Sequence, residues 1–507
     1  MKKYIFIVPI YFLIGNFNIQ AQKIYYADVT KTDAQQTYFD IIGRMEGNVL
    51  IYTENKNNPI LTIYDADMKQ VSRNLLSYLP NNTLHVDFIA YNQQGWAIYQ
   101  FQQKNIVYCK AVAFNAMGKK IAEAIDVDST IINGIAKNTM YTLLISEDKQ
   151  KIMLLKINTK KEKDRIKENI FTTLLFDAQM HLLHKSNITQ PVSVKNNYLT
   201  NFYLDNQGNV LFTNIIKQGK EDRISNVWVT TKAANQDSFT VKALDLRGLY
   251  ADDIKVKIDN INKKYILTSL YSKARKGNVD GLYTAFLDVA HDSVQHINTI
   301  IFNDELRNNV QNESSLKTAF NDYILQDIIV KNDGSFIVTG ELLYTTSQNN
   351  NPFNRSNYLY GYPYSSAFDY YSWYAYGQSP WSRYTQATQF HAHNIMILSV
   401  DNVGKLTWSN VITKTQMADE TDHTLSYKII NTGDQLHFIF NQQERGNILL
   451  TDNSILPNGQ LTRSPTLRGL DQGYTFIPRY AKQVGAKQAI IPCVYENYLS
   501  FAKIEWR

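Results

Sequence analysis

Short runs of apolar or alternating apolar and polar residues follow one another from Lys23 to the end of the chain. Asn, Asp, Gly and Lys separate these runs, of which Val49–Tyr52, Trp96–Tyr99 and Val210–Phe212 are examples. Alternation with a period of two residues is typical of half-buried β-strands, and the period of 3.6 that marks an amphipathic helix is nearly absent. The best helix candidate, Asn303–Ala319, is expected to be a polar connector. The pattern predicts an all-β chain.

One hairpin recurs along the chain. An apolar strand ends in Asp or Asn, about four turn residues follow, and a polar-flanked strand returns. Asp and Asn favour the first turn position because their side chains cap the local backbone. Turns of this kind begin at Asp65, Asn115, Asp177, Asp288 and Asp401. A second hairpin lies upstream in several groups, and its glycine, as at Gly95, Gly208 and Gly334, is expected to adopt a positive φ.

Two such hairpins make a four-stranded unit, and the units repeat at a nearly regular spacing. Asp65 and Asn115 are 50 positions apart, and Asn115 and Asp177 are 62 apart. The next intervals, 111 positions to Asp288 and 113 to Asp401, correspond to two units and to one unit with a long insertion. Four-stranded repeats at this spacing predict a β-propeller, a closed ring of four-stranded blades.

We therefore expect a single β-propeller over residues 22–507, with eight blades favoured and seven as the close alternative. Two separate sandwiches are a less favoured architecture. The first seven blades are expected to start near Tyr38, Leu84, Ile131, Tyr198, Tyr250, Tyr323 and Leu425. The last blade would take three C-terminal strands, Tyr474–Tyr480, Gln488–Val494 and Phe501–Trp506, and its fourth strand from Ile24–Val29. Closure by both termini hides two sheet edges that would otherwise be open.

Residues 1–21 have the pattern of a secretory signal peptide. Lys2 and Lys3 precede the apolar stretch Tyr4–Ile14, and a polar run follows with the small residue Ala21 at the cleavage position. The apolar stretch is too short to span a membrane, and no cysteine follows it to carry a lipid anchor. We expect an exported protein without a transmembrane segment, either periplasmic or associated peripherally with the outer membrane, rather than an extracellular one.

Composition narrows the expected partners. The chain has 52 Lys and Arg residues against 46 Asp and Glu, and this net charge of +6 is not gathered into the basic stripe that nucleic-acid binding requires. The 34 Tyr, 23 Phe and 6 Trp residues favour strands and binding surfaces.

Cys109 and Cys493 both lie in apolar runs, so buried free thiols are favoured over a single disulfide.

A Tyr-rich insertion at residues 345–394 interrupts the sixth predicted blade between its second and third strands. It carries little charge, and Ser, Asn and Gly separate its aromatic residues. This composition is typical of adaptable binding loops, in which stiff aromatic rings supply contact area, and Tyr and Trp faces also stack on sugar rings. The alternative is that the aromatic residues fold back to plug the ring or to cover a blade. The candidate binding residues are Tyr358, Tyr360, Tyr362, Tyr364, Tyr370, Tyr371, Trp373, Tyr374, Tyr376, Trp381 and Tyr384.

His391 and His393 follow the aromatic run, and a strand would place both imidazoles on one face. Two metal ligands are conceivable there, with a third from Glu420, Asp422 or His423. The spacing is generic, however, and a solvated or hydrogen-bonded pair is the favoured interpretation. We expect no metal site and no cofactor.

The segment Ser399–Trp408 resembles two propeller signatures without satisfying either. The sialidase-type Asp box has one residue between its Asp and its Gly, whereas two residues separate Asp401 from Gly404. In the docking motif of quinone-binding propellers, Asp401, Gly404, Lys405 and Trp408 match, but the Thr before the glycine is missing. That motif joins adjacent blades through its Trp, so the resemblance implies a structural role for Trp408. The segment occurs convincingly once, which argues against membership in either family.

Three features together resemble uncharacterised exported propellers of Bacteroidota-type bacteria. These are the signal ending Asn18–Gln22, the Asp-x-x-Gly-Lys hairpins, and the Tyr-rich insertion leading into Asn394–Asp401. The resemblance implies no known activity. The chain contains no Gly-x-Ser-x-Gly, His-Glu-x-x-His, Walker or EF-hand motif.

A non-enzymatic binding or scaffold propeller of the cell envelope is therefore the favoured function. It would contact a protein or glycan through its blade loops and the Tyr-rich insertion. The alternative is a glycan-active hydrolase or lyase whose carboxylates converge on the central funnel from several blades. Such an enzyme would show two buried carboxyl groups with displaced pKa values, roughly 5–10 Å apart.

Overall fold

A computed structural model of the protein describes residues 22–136, 139–162, 165–191, 197–217, 223–289, 293–310, 317–347, 388–419, 421–444, 447–463 and 473–506. Its regular elements are almost entirely antiparallel strands. The described strands form eight groups of four, counting an inner strand made of two pieces as one. We number these groups as blades 1 to 8 in chain order.

The first four blades follow one another without interruption. Blade 1 consists of β2 (Thr37–Met45), β3 (Asn48–Asn55), β4 (Asn58–Tyr64) and β5 (Gln70–Leu75). Blade 2 consists of β6 (Thr83–Ala90), β7 (Gln94–Gln103), β8 (Ile106–Asn115) and β9 (Ile125–Ile131). Blade 3 consists of β10 (Thr142–Ile145), β11 (Lys151–Glu162), β12 (Arg165–Asp177) and β13 (Leu182–Pro191). Blade 4 consists of β14 (Asn197–Leu204), β15 (Val210–Lys217), β16 (Ile224–Lys232) and β17 (Thr240–Leu244).

The last four blades include two with a divided inner strand. Blade 5 consists of β18 (Tyr250–Ala251), β19 (Lys255–Asp259), β20 (Lys264–Ser272), β21 (Gly281–Asp288) and β22 (Ser293–Ile301). Blade 6 consists of β23 (Tyr323–Val330), β24 (Phe336–Ser347), β25 (Thr388–Val400) and β26 (Leu406–Asp419). Blade 7 consists of β27 (Tyr427–Asn431), β28 (Leu436–Glu444), β29 (Asn447–Ile455) and β30 (Leu461–Arg463). Blade 8 consists of β31 (Tyr474–Phe476), β32 (Lys482–Gly485), β33 (Gln488–Tyr495), β34 (Tyr498–Glu505) and β1 (Lys23–Tyr26).

The described residues contain three short helices. The α-helix α1 (Asp304–Val310) connects blades 5 and 6, and single 3₁₀ turns occupy Ala34–Gln36 and Pro478–Tyr480. Among the described residues, no helix is long and apolar enough to cross a membrane.

The blades pack face to face in a closed ring. A buried apolar cluster fills each of the eight interfaces between consecutive blades, including the one between blade 8 and blade 1. In that last interface, Phe39 of blade 1 meets Phe501 of blade 8 edge to face, with ring centroids 5.5 Å apart. The prediction of an all-β propeller with eight blades is confirmed.

The N-terminal strand supplies the outer strand of blade 8, as predicted. Lys23 to Tyr26 pair with Glu505 to Ala502, and the ring of Tyr26 stacks on Tyr474 with centroids 4.6 Å apart. The strand ends earlier than the predicted Val29. Ala27 still donates its N–H to Phe501 O. The chain then continues toward blade 1, and on the way Asp33 bridges to Tyr498 at the start of β34.

A buried carboxylate fastens this closure to blade 7. Asp452, which is fully buried, accepts hydrogen bonds from the side chains of Gln22 at 2.7 Å, His437 at 2.9 Å and Trp506 at 2.9 Å. Gln22 and Trp506, from the first and last described segments of the chain, therefore donate to the same carboxylate, that of Asp452. Each of these bonds uses a donor that would otherwise lose its hydration inside the ring.

The recurring Asp and Asn turns have the predicted geometry. Oδ1 of Asp65 accepts the backbone N–H groups of Asp67 and Lys69, both at 2.9 Å. Asn115, Asp177 and Asp401 accept from the residues two and four positions later in the same way. These turns join the third and fourth strands of their blades. In the turns between first and second strands, Gly208 and Gly334 have the expected positive φ, but the expectation is wrong for Gly95, which lies inside β7. The turns between second and third strands lie at the opposite ends of the strands, on what we call the insertion face.

One expected blade boundary is wrong. Ile131 does not begin blade 3 but ends β9, the outer strand of blade 2, and the inner strand of blade 3 begins at Thr142. An apolar pair such as Ile131–Ile132 has the same composition at the end of one strand as at the start of another. Blades 4 and 5 also share one sheet, because Ala251 pairs with Ile224 of the blade before it.

The connection from Asn303 to Ala319 is not simply polar. Its described helix spans Asp304–Val310, and residues 311–316 lie outside the described ranges. Leu306 and Val310, four residues apart on one helical face, are buried in the cluster between blades 5 and 6. The connection therefore contributes to the core.

Cys109 in blade 2 and Cys493 in blade 8 are both fully buried free thiols, which confirms the favoured interpretation. Burial in apolar surroundings raises the pKa of both groups, so neither offers a reactive thiolate at neutral pH.

Candidate functional site

Two paired strands of blade 6 flank the Tyr-rich insertion in the sequence. These strands, β24 and β25, stay paired to their ends, where Ser347 lies opposite Thr388. Residues 348–387, which include all eleven candidate aromatic residues from Tyr358 to Tyr384, lie outside the described residues, as do residues 1–21 of the predicted signal peptide. The structure therefore defines the base from which the insertion leaves the ring.

The hairpin continues past the inner strand of its blade. Tyr323, the first residue of the inner strand, pairs with Leu342, and β24 runs on for five more residues. We call the paired segments Leu343–Ser347, Thr388–His393 and Thr415–Asp419 the blade 6 extension. Phe390 and Ala392 within it are buried, so this part of the predicted insertion is strand and core.

One surface of the extension carries a compact aromatic group. The rings of Tyr344 and His391 stack almost in parallel, with centroids 4.4 Å apart and an angle of 5° between their planes. Tyr344 Oη lies 3.1 Å from His393 Nε2, and Thr346 Oγ1 lies 3.0 Å from His391 Nε2. These contacts fix both imidazoles against a flat ring.

Burial keeps the two imidazoles neutral. It lowers the pKa of His391, and it is the main reason why the pKa of His393 falls to about 4. The charge of Lys414, and that of His391 when it is protonated, lower the pKa of His393 further. Neutral rings next to a tyrosine make an uncharged, partly exposed platform. Such a platform suits contact with an uncharged face of a partner better than the capture of an anion.

The histidine pair is hydrogen bonded, as favoured from the sequence. His391 and His393 do lie on one face of the strand, with ring centroids 5.6 Å apart. Of the candidates for a third metal ligand, Asp422 pairs with Arg479 at 2.6 Å, and residue 420 lies outside the described ranges. Within those ranges, no three His, Cys, Asp or Glu side chains gather in a way that could hold a metal ion.

A shallow cleft separates the extension from the connection between blades 6 and 7. Its walls include Tyr344, Phe390, His391, Asp422, Ser426 and Arg479. Arg479 comes from blade 8 and donates both to the carboxylate and to the backbone carbonyl of Asp422. The walls of the cleft thus come from blade 6, from the segment leading into blade 7 and from blade 8.

A buried ion pair lies beneath this cleft. Lys414 Nζ is 2.6 Å from Glu341 Oε1, and both side chains are fully buried. Glu341 also accepts a hydrogen bond from Ser426 Oγ at 2.5 Å, while Lys414 donates to Ala392 O at 2.9 Å and to Gln416 Oε1 at 2.7 Å. Removing one member of such a pair leaves an uncompensated buried charge, so the network fixes the three strands and the start of blade 7 together.

The sequence analysis did not identify this ion pair, although a pattern for it exists. Glu341 interrupts the apolar run Phe336–Tyr344, and Lys414 occupies the inward position of an alternating strand after Ile412. Two opposite charges at inward-facing positions of strands in the same blade indicate a buried pair. Ser426 has a φ of 70°, which is rare for a residue other than glycine. Its residue type gives no indication of this backbone conformation.

The inner strands of the ring carry a second cluster of ionisable groups. His85 Nε2 lies 2.9 Å from Asp87 Oδ1, and Lys482 lies 3.8 Å from Asp40. Burial favours the neutral form of His85, but the charges of Asp87, Asp40 and Glu54 outweigh it and raise its pKa. The cluster is therefore a set of compensated charges near the ring axis.

The carboxyl groups with displaced pKa values among the described residues are all shifted downward. Burial tends to raise the pKa of Asp128, but hydrogen bonds from Lys156 and Tyr141 outweigh it and lower that pKa. The pKa values of Asp177, Asp333, Asp434 and Glu505 are lowered as well. The general acid of a glycan hydrolase needs a shift in the opposite direction.

Comparison with known proteins gives only distant likenesses. No protein-family model matches the chain, and no curated protein matches it. Among solved structures, the WD40 domain of SCAP from fission yeast is 7% identical with a TM-score of 0.39, and the match covers 96% of this chain and 98% of that one. The polysaccharide lyase Uly1 is 11% identical with a TM-score of 0.40, and the match covers 96% of this chain and 100% of the lyase.

A third similar structure is prolyl oligopeptidase B from Galerina marginata. It is 7% identical with a TM-score of 0.42, and the match covers 92% of this chain but 56% of the oligopeptidase. At these values no activity, substrate or partner transfers to this chain. The assignment of the fold rests on the strand pairing and the closed series of blade interfaces described above.

Proposed function

We propose that the protein is a non-enzymatic binding or scaffold propeller of the cell envelope, which contacts a protein or a glycan through its blade loops and the Tyr-rich insertion. The observation that carries this proposal is the pairing of Ser347 with Thr388 at the end of an ordered hairpin. The ring closes through its eight blade interfaces from described residues alone, so 348–387 are additional to a complete scaffold. Added segments on a rigid scaffold are where recognition is usually found.

The base of the insertion supports the same proposal. The buried pair Lys414–Glu341 holds the extension rigid, and the stack of Tyr344 on His391 offers an uncharged surface beside the strand ends. Rigid aromatic anchors lose little conformational entropy on binding, and small polar neighbours adapt their hydrogen bonds. The insertion has both kinds of residue. Location in the envelope rests on the signal-peptide pattern of residues 1–21.

The proposal is tested by replacing residues 348–387 with a two-residue Asn-Gly turn, which suits the register of Ser347 opposite Thr388. The replacement ends before Phe390, so it keeps the buried part of the extension. A control of natural length replaces the eleven candidate aromatic residues by Ser. Thermal unfolding is measured together with binding to a glycan array and to purified envelope proteins identified in a first pull-down.

We expect both variants to unfold within about 2 °C of the parent, which for a chain of this length corresponds to about 2 kcal/mol, because few ladder hydrogen bonds are lost. Both variants should lose the binding that the parent shows, since Tyr and Trp commonly dominate contact energy. A large drop in melting temperature would show that the aromatic residues belong to the core. Unchanged binding by both variants would remove the insertion from the proposed contact surface.

A further inference from the structure

A recess with a volume of about 370 Å³ lies on blade 1, at the seam where the N-terminal strand closes the ring. Its polar lining comes from Thr32, Thr53, Asn55, Asn58 and Arg73. Ile60 and Leu75 complete it with aliphatic surface. A concave volume of this size with a few converging polar groups is typical of a small-ligand site.

Strand register shows that the lining residues share one face of blade 1. Thr53 pairs with Ile60, Ile60 pairs with Leu75, and Asn55 pairs with Asn58. Residues directly opposite in a sheet point to the same side, and alternation places Thr53 on the side of Ile51. Ile51 is buried in the cluster between blades 8 and 1, so the recess continues that interface beyond its packed part.

The N-terminal segment supplies one wall of the recess. The outer strand of blade 8 ends at Tyr26, opposite Ala502, although the neighbouring strand β34 begins at Tyr498. The chain then crosses to blade 1, and Leu499 N donates to Thr32 O on the way. Thr32 thereby becomes one wall of the recess, and the ring-closing segment forms the site.

The carboxamide of Asn55 is held in place before any ligand arrives. Its Nδ2 donates to Thr37 Oγ1 at 2.9 Å, and that hydroxyl donates to Asp33 O at 2.6 Å. Thr37 is fully buried, so this chain of hydrogen bonds fixes the amide from behind. Among the described residues, Oδ1 of Asn55 has no hydrogen-bond donor, which leaves an oriented acceptor at the recess.

Arg73 supplies a positive charge that the ring does not use. It stands on the outer strand β5 opposite Thr62. No ion pair or hydrogen bond joins its side chain to another described residue. A planar guanidinium binds a carboxylate through two parallel hydrogen bonds. The nearest lining groups, Thr and Asn side chains, are neutral donors and acceptors that pair with hydroxyl groups.

We propose that this recess binds a short acidic saccharide, with a ring carboxylate on Arg73 and ring hydroxyls on Asn55, Asn58 and the threonines. Ile60 and Leu75 would cover the C–H face of a sugar ring, which a simple anion does not need. The site is separate from the insertion of blade 6, so this inference goes beyond the proposed function and does not depend on it.

The test uses trigalacturonate as the probe, with maltotriose as a neutral saccharide of equal length and sodium sulfate as an anion without a ring. Titration calorimetry on the full chain should show binding of trigalacturonate and none of the other two. Arg73→Gln should weaken that binding at least tenfold, and Arg73→Lys should weaken it less because charge is kept without the planar fork. Asn58→Ala should weaken it several-fold. Lys31→Gln, at an exposed cation that does not line the recess, is the matched control and should bind like the parent.

Sulfate that binds as well as trigalacturonate would reduce the site to general anion attraction and overturn the proposal. Equal binding of maltotriose, or unchanged binding by Arg73→Gln, would overturn it too. Arg73 is exposed, so its variants are expected to fold, and their thermal unfolding verifies this. The protein whose insertion is replaced by a turn should still bind trigalacturonate, which separates this site from the one under the proposed function.

Discussion

The indole of Trp408 in blade 6 lies directly against the backbone of Gly459 in blade 7. A Cβ atom added at Gly459 would come within 2.8 Å of the indole, and Trp408 Nε1 donates to Pro457 O at 3.2 Å. Asn410 strengthens the same contact by donating to Gly459 O at 2.8 Å. The blade-joining role that the docking-motif resemblance implied for Trp408 is therefore present, even though the motif itself is incomplete.

This contact predicts a difference between two glycines of blade 7. Gly459 has a φ of 89° and Gly433 a φ of 95°, but only Gly459 has a neighbour within 4 Å of an added Cβ. Gly433→Ala should therefore cost about 1–2 kcal/mol of unfolding free energy, the strain of a left-handed alanine. Gly459→Ala should cost about 1–3 kcal/mol more, because the indole must also move. Urea unfolding of both variants measures the difference, and equal losses would show that Trp408 yields freely.

The fold could be predicted from sequence because its determinants are local. Asp65 and Asp401 cap their own turns through atoms two and four residues away, so the same few residue types mark each blade. The closure was predictable because the C-terminal strands left a blade one strand short. Alternation alone could not place the boundary at Ile131, since an apolar residue serves either of two adjacent strands.

The sites were harder to predict because they depend on pairing between distant segments. Glu341 and Lys414 meet only through the register of β24, β25 and β26, which no local pattern determines. The recess beside Arg73 depends on the path of the ring-closing segment, because its lining combines Thr32 with strands of blade 1. Composition did identify the insertion as distinctive, but not the stack of Tyr344 on His391 at its base.

The closing strand predicts a large effect of a small deletion. Removing Gln22–Tyr26 exposes the edge of β34, takes Ile24 and Tyr26 from the cluster between blades 7 and 8, and removes one donor from Asp452. We expect a loss of about 3–5 kcal/mol and a tendency to aggregate, because a free edge pairs with other chains. Thermal unfolding and size-exclusion chromatography measure both.

Two further variants show which contact matters for closure. Replacing Ile24 and Tyr26 by Ser keeps the backbone ladder and should retain part of the stability. Lys23→Ala, at an exposed position of the same strand, should change the unfolding free energy by less than about 0.5 kcal/mol. A deletion variant that melts like the parent would show that blade 8 is stable with three strands.

The depressed pKa of His393 predicts how stability responds to acid. Its pKa is about 4 in the folded protein against 6.5 for an ordinary histidine, because burial and the charges of His391 and Lys414 oppose protonation. Between pH 6.5 and 4 the unfolded chain therefore binds a proton that the folded protein does not. The free energy of unfolding should fall with decreasing pH in this window, by at most about 1.4 kcal/mol per pH unit from this group. Above pH 6.5 the imidazole is neutral in both states and contributes no slope.

His393→Gln keeps a partner for Tyr344 but cannot titrate, so its unfolding free energy should depend less steeply on pH than that of the parent. His296→Gln, at an exposed histidine of blade 5, should keep the parental slope. Urea unfolding at half-unit steps from pH 7 to pH 4 measures all three, and a His393→Gln slope equal to the parental one would contradict the assignment.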